Sequence, residues 1–456
     1  MRARDYSFGL CLVLLILTLA ASVAVADPVV SLVKDIRPGP GYSDPGSLID
    51  VGGTLYLRAD DGVHGAELWR SDGTEAGTLM VRDIRPGSRG SLPHPSVGVG
   101  GSVYFTANDG SHGAELWKSN GTEAGTVMVS GILPGSDGGR PRSLIVVGTT
   151  LYFTADDAIH GRELWRSDGT GDGTFMVKDI WQGPDGSGIG LTVVASTLYF
   201  QGYDGMNGDE LWKSNGTEVG TVMVRDIAPG PDGSNPSELT NVGGILYFEA
   251  DDRTHGAELW SSDGSEAGTV LVKDIHLREG GYLTSLAEFM GTLYFSADDG
   301  TNGRELWKSD GTALGTVMVK DIWLGSDSSS PVNLATVGGR LYFRASDATY
   351  GNELWRSDGT EAGTALVKDI CQTDCGSDPG WFTDVAGILY LRAKDGVYGR
   401  ELWRSDGTIA GTILVTDLRR GPASSNPQVL TELAGSVFFR AYRRPTGTEL
   451  FVFTTG

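Results

Sequence analysis

Paired acids recur along this chain where they could hold a cation. Asp60-Asp61, Asp156-Asp157 and Asp298-Asp299 each follow an alanine, and the second acid returns as Asp109, Asp204, Asp252, Asp347 and Asp395. Calcium takes roughly six to eight oxygen ligands, often from Asp-rich loops that contain glycine. It is the one cofactor these loops suit. No unit has the D-x-D-x-D-G spacing of a dedicated calcium loop, so the preferred reading is an Asx-type turn, in which the carboxylate accepts backbone N–H bonds. His64, His112, His160 and His255 share one position of the same pattern. Stacked sheets lie ~10 Å apart, whereas zinc ligands stand ~2 Å from their metal, so these imidazoles cannot converge on one ion. His94 and His276 are unique to their surroundings, with no nucleophile or carboxylate partner visible in sequence.

Tryptophan supplies the other chemistry. Eight recur in an E-L-W motif, at 69, 117, 165, 212, 260, 307, 355 and 403, and Phe451 takes the ninth place. A large aromatic at a fixed strand position gains most from burial, which points to packing rather than ligand stacking. Trp181, Trp323 and Trp381 stand outside that register and are the better ligand-binding candidates. Cys371 and Cys375 flank three residues, and in an exported chain they would form a short local disulfide. There is no phosphate loop, G-x-S-x-G elbow or H-E-x-x-H motif.

The elements that must position these residues follow from a repeat. Successive E-L-W motifs lie 47 or 48 residues apart, each of the eight full copies running into a D-G-T-like turn and then a stretch such as Val177-Lys178-Asp179-Ile180. In the unit around Trp260, four strands are expected: 238–242, 245–250, 257–261 and 269–275. V-G-G and S-D-G-T supply the hairpin turns between them. Four strands per 40–50 residues is the signature of a β-propeller blade. The start of the chain offers a lone fourth strand at Ser31–Ile36, and its end offers strands one to three with no fourth. Pairing the fragments closes a ring and removes both exposed edges. The expected fold is all-β: one closed propeller of nine four-stranded blades, with eight blades or a β-solenoid as the alternatives.

Residues 1–26 read as a signal peptide: Arg2 and Arg4, an apolar run from Leu10 to Val25, then Ala24-Val25-Ala26 before Asp27. No later stretch is apolar enough to span a membrane. Residues 27–456 then form the propeller of an exported protein, secreted or held in the periplasm or at the cell surface. The formal charge of −22, from 58 acids and 36 bases, would repel phosphates and excludes a nucleic-acid role. Glycine makes up 68 of 456 residues, roughly twice its usual ~7% share, which suits turns rather than helices.

The segments Glu163-Leu164-Trp165-Arg166-Ser167-Asp168-Gly169-Thr170 and Glu305-Leu306-Trp307-Lys308-Ser309-Asp310-Gly311-Thr312 resemble the bacterial ELWxxDGT repeat family. The resemblance covers essentially all of 27–456 and implies an exported propeller-like protein with no established enzymatic activity. Departures are Ser265 for Thr, Asn120 and Asn215 for Asp, and the missing D-G-T after Phe451. Antiparallel order puts the loops between strands two and three, and between strand four and the next strand one, on one end of the ring. That end carries the acids and the most varied sequence, so any binding face belongs there. The expected function is a non-catalytic scaffold for a protein, glycan or envelope component, because no unit carries an inserted catalytic loop. The alternative is a secreted hydrolase or lyase with its site at the mouth of the central channel.

Overall fold

The computed structural model describes residues 29–183, 186–187, 189–277, 279–373 and 376–454. The signal-peptide reading of 1–26 lies outside them. The described residues form thirty-six strands and no helix, arranged as nine four-stranded antiparallel sheets. The molecule is a nine-bladed β-propeller. Blade 1 comprises Gly46–Val51, Thr54–Asp60, Ala66–Ser71 and Leu79–Arg82. Blades 2 to 8 repeat this order from His94, Arg142, Ile189, Ser237, Thr284, Val332 and Gly380. Blade 9 takes Gln428–Leu433, Ser436–Arg443 and Gly447–Thr454 from the end of the chain and Val29–Lys34 from its start. Val29 pairs with Thr454 and Lys34 with Leu450, so the ring closes through the two ends of the chain.

Each residue of the repeated motif has a mechanical task. The Leu of E-L-W is fully buried, as Leu68 and Leu211 show at 0% exposure. Trp69 packs on Val33 and Ile36 of the preceding blade, and Trp212 packs on Val177 and Ile180 in the same way. The tryptophans are therefore the contact between blades. In the turn, Asp168 Oδ1 accepts the Thr170 N–H at 2.8 Å and its hydroxyl at 2.7 Å, and Gly169 has φ 89°. A Cβ on Gly169 would also stand 2.2 Å from the Tyr104 hydroxyl of the preceding blade, so glycine is required twice over. Asn120 and Ser265 make the same bonds in their units, which is why those departures leave the turn intact.

The Glu of E-L-W has Lys and Arg near it in the repeat but forms no ion pair with them among the described residues. Glu210, at 0% exposure, instead accepts four hydrogen bonds from the loop leading to the next blade. Its donors are the backbone N–H groups of Ile227, Ala228 and Ser234, at 3.0–3.1 Å, and the Ser234 hydroxyl at 2.6 Å. The basic residues go elsewhere. Lys178 Nζ reaches across to the Thr221 carbonyl of the next blade at 2.8 Å and lies 5.7 Å from the Trp212 ring.

Candidate functional site

The first strand of every blade is innermost, and neighbouring first strands stand side by side around the central channel. The acidic loops lie at the end of the ring where these strands begin. There Asp61 Oδ1 accepts the N–H groups of Val63 and His64, both at 2.8 Å, while its Oδ2 meets His64 Nδ1 at 2.7 Å. Burial opposes the charged form of Asp61, but the bonds from His64 and Val63 outweigh it and hold the carboxyl below the usual range. The same bond raises the His64 pKa. Asp157 and His160 repeat the arrangement, and Asn302 replaces the imidazole against Asp299. Asp60, Asp156 and Asp298 each accept one N–H two residues on, at 2.6–2.7 Å. All six acids thus sit in Asx turns. Among the described residues, no three His, Cys, Asp or Glu side chains converge as a metal site.

The three candidate tryptophans are not together. Trp181 lies in the loop after blade 3, its ring 3.9 Å from that of Tyr203 and its backbone N–H donating to Glu163 Oε1 at 3.2 Å. Trp323 occupies the matching loop after blade 6, bonded to Glu305 in the same way. Both are partly exposed. Trp381 is not in the matching loop after blade 7. It belongs to the innermost strand of blade 8, Gly380–Val385, and is 43% exposed beside the channel. First-strand pairing slips one residue there, between Gly380 and Thr383, as it does in the other blades. The residue after the slip takes a left-handed conformation, with φ 52° at Ser47, 58° at Asn333 and 59° at Trp381. Cys371 lies buried at the foot of the loop after blade 7, and Cys375 lies outside the described residues.

A column of the repeat that single-unit reading overlooks becomes visible in the channel. The second-strand residue opposite the first residue of strand one is Arg344, Arg392, Arg440 and Arg58 in blades 7, 8, 9 and 1. In blades 2 to 6 it is Thr106, Thr154, Gln201, Glu249 and Ser296. Four consecutive blades therefore carry arginine in this column, while Arg140 and Arg142 add positive charge elsewhere on the mouth, in the matching recess between blades 2 and 3. The bias continues on the adjacent loops, where Arg419, Arg420, Arg443 and Arg444 line a recess of about 580 Å³. A second recess, of about 420 Å³, lies between blades 7 and 8 and is lined by Asn333, Arg344, Gly380, Trp381 and Arg392 among others. The signal was available in sequence, but only by aligning the nine units column by column.

One further contact was invisible in sequence. Ser47 Oγ lies 3.3 Å from His94 Nδ1, across the boundary between blades 1 and 2. Burial and the neighbouring Arg58 charge lower the His94 pKa. Among the described residues, no carboxylate forms an ion pair with His94.

No family model and no curated protein matches the chain. Solved structures with a similar course include a puromycin hydrolase, 15% identical over 80% of this chain and 60% of that one, at a TM-score of 0.41. A structure from a study of two prolyl endopeptidases is 14% identical over 78% of this chain and 54% of that one, at 0.44. A puromycin-hydrolyzing peptidase of Mycobacterium tuberculosis is 11% identical over 78% and 60%, at 0.39. The chain spans three-fifths or less of the length of these peptidases. Likeness of this degree assigns the chain no activity.

Proposed function

We propose that this chain is an exported, non-catalytic binding scaffold of the ELWxxDGT type, secreted or retained in the periplasm or at the cell surface, and that it recognises a protein, glycan or envelope component. One observation carries this reading: the repeated residues are spent on the frame. Glu holds a loop, Leu and Trp fill the blade and its interface, and Asp, Gly and Thr close the turn. What remains free to meet a ligand is the unrepeated set at the loop end and channel mouth, including Trp181, Trp323 and Trp381.

The test is a glycan-array and pull-down screen of residues 27–456. A Trp181→Ala/Trp323→Ala/Trp381→Asn variant should lose the captured ligand. A variant of Val219→Ser and Leu314→Ser, 90% and 94% exposed on the opposite end, should keep it. The reverse pattern places the binding face on the wrong end. The hydrolase reading has the Ser47–His94 contact in its favour, yet a catalytic imidazole is ordinarily oriented by a third group. Turnover of p-nitrophenyl acetate that disappears in Ser47→Ala would favour the enzyme.

A further inference from the structure

We propose that the recess between blades 7 and 8 binds a carboxylate-bearing saccharide, its ring stacked on Trp381 and its carboxylate held between Arg344 and Arg392. The inference rests on the scaffold reading above and gives it a ligand class.

Three independent features meet there. First, Trp381 is costly to place. A bulky side chain at positive φ is a conformational outlier, and the matching positions at positive φ hold Ser47, Ser143, Gly190, Glu238, Ser285, Asn333 and Val429, so Val429 alone shares a comparable strain. Burial does not explain the choice, since Trp381 is 43% exposed. It is the one aromatic in this column of the repeat, and it is left open to the channel. Second, the two guanidiniums lack acidic partners. Asp378 is taken by Lys394 at 3.0 Å and Arg400 at 3.1 Å, and no ion pair reaches Arg344 or Arg392 among the described residues. The Nε atoms of both arginines are buried without a hydrogen-bond partner. Burial and the charges of Arg400 and Arg344 lower the Arg392 pKa, with Asp378 offsetting them in part, and Arg392 Nη1 donates to the neutral Asn426 Oδ1 at 3.1 Å, so an anion there would relieve the remaining repulsion. Third, Gly380 leaves the donors room. A Cβ on it would stand 3.7 Å from Asn333 Nδ2 and 4.0 Å from Arg392 Nη2, so the amide and the guanidinium border the space that a side chain would fill.

These features select a ligand. Paired arginines match the planar fork of a carboxylate, which each can bind through two N–H groups. One open indole face suits a pyranose, whose apolar C–H face stacks while its hydroxyls bond an amide such as that of Asn333. A volume of about 420 Å³ accommodates one or two sugar units. The flanking Arg440 and Arg58 extend the positive field in both directions around the mouth.

Residues 27–456 should be titrated by calorimetry with tetragalacturonate, galactotetraose, citrate and AMP, at about 20 mM and about 300 mM NaCl. Tetragalacturonate should bind at least ~10-fold more tightly than the neutral oligosaccharide or citrate, and less tightly at high salt. Trp381→Asn, whose new side chain already occupies the same conformation at Asn333, should lose binding about 10-fold or more with an unchanged or raised thermal midpoint. Arg344→Gln should do the same to affinity. Equal binding of galactotetraose or citrate, tighter binding of AMP, or full affinity in Trp381→Asn overturns the proposal. If tetragalacturonate fails while the array yields a ligand that depends on Trp181 and Trp323, this inference falls and the scaffold stands. If no ligand on any panel is retained, both fall.

Discussion

Glu163 and Glu210 occupy the same position in neighbouring blades, yet neutralising them should have opposite consequences. Glu210 receives four donors, two on each oxygen. In Glu210→Gln one oxygen becomes an NH₂ facing two of them. The Ser234 hydroxyl can rotate away, but a backbone N–H cannot. The loss is one bond to a charged group, worth about 1.5–3 kcal/mol, plus a buried donor left unpaired at about 1–3 kcal/mol, so roughly 3–5 kcal/mol is expected. Glu163 is differently served. Its Oε1 accepts the Trp181 N–H at 3.2 Å, but its Oε2 is buried with no partner. The Ser187 hydroxyl, which should meet it, instead accepts the Tyr203 N–H at 2.7 Å. Burial, only partly offset by backbone N–H groups, drives the Glu163 pKa up to about 8. At pH 7 the folded carboxyl is then mostly protonated, so Glu163→Gln exchanges one neutral group for another and forfeits little, and its cost should stay below about 1 kcal/mol.

The pH dependence fixes the sign. A carboxyl whose pKa is about 8 when folded, against an ordinary ~4.3 when unfolded, stabilises the fold fully below the unfolded value. That contribution is lost as pH rises through about 8. Wild type should therefore lose stability relative to Glu163→Gln between roughly pH 5 and pH 9. Urea-unfolding midpoints of the three proteins at acidic, neutral and alkaline pH read both effects. The reasoning is refuted if Glu163→Gln is as damaging as Glu210→Gln at pH 7, or if wild type gains on it as pH rises.

Trp165→Ala should destabilise by about 3–5 kcal/mol, as large-to-small core changes do, whereas Trp165→Phe should cost far less because Phe451 fills the ninth copy at 0% exposure. A denaturation midpoint unchanged in the alanine variant would remove the interblade role. Deleting residues 27–37 takes away the outer strand of blade 9 and with it Val33 and Ile36, and exposes the edge of Gly447–Thr454. Light scattering should show aggregation of the truncated protein; unchanged solubility and melting would count against closure through the chain ends.

The blade count was legible because it is arithmetic. A period near 48, a stray fourth strand at one end and a missing one at the other leave one closed solution, and Val29–Lys34 pairs beside Gly447–Thr454 as that solution requires. The tasks of Trp and of the D-G-T turn were legible too, since a fixed strand position and a positive-φ glycine each have one dominant use. The partner of the E-L-W glutamate was not. Backbone N–H groups carry no sequence signature, whereas nearby Lys and Arg are conspicuous, and Lys178 proves to serve the next blade's turn. Trp381 holds the position that Glu238 holds in the unit around Trp260, the start of strand one, and only alignment of the units shows that it belongs to the innermost strand. Ser47 and His94 meet across a blade boundary, 47 residues apart, and nothing local marks them as a pair.

Repetition also explains why function should gather where the units disagree. In a closed array each blade touches only its two neighbours, so stability is close to a sum of blades and interfaces. A change at an interface residue such as Trp165 is therefore felt locally and in full, which holds the interface positions to Trp, with Phe451 in the ninth copy. The column containing Arg58, Arg344, Arg392 and Arg440 is under no such constraint, since Thr, Gln, Glu and Ser occupy it in other blades of the same frame. Random variation in a free column would scatter charges around the ring. Here all four arginines fall on consecutive blades, and the same blades carry Trp381 and the loop arginines 419, 420, 443 and 444. In a chain with a net charge of −22, grouping Arg344, Arg392 and Arg400 sets up a repulsion at Arg392 that Asp378 offsets in part. A fold that gains nothing from that repulsion, and could avoid it with any of the residues found in blades 2 to 6, tolerates it where an anion is to be received.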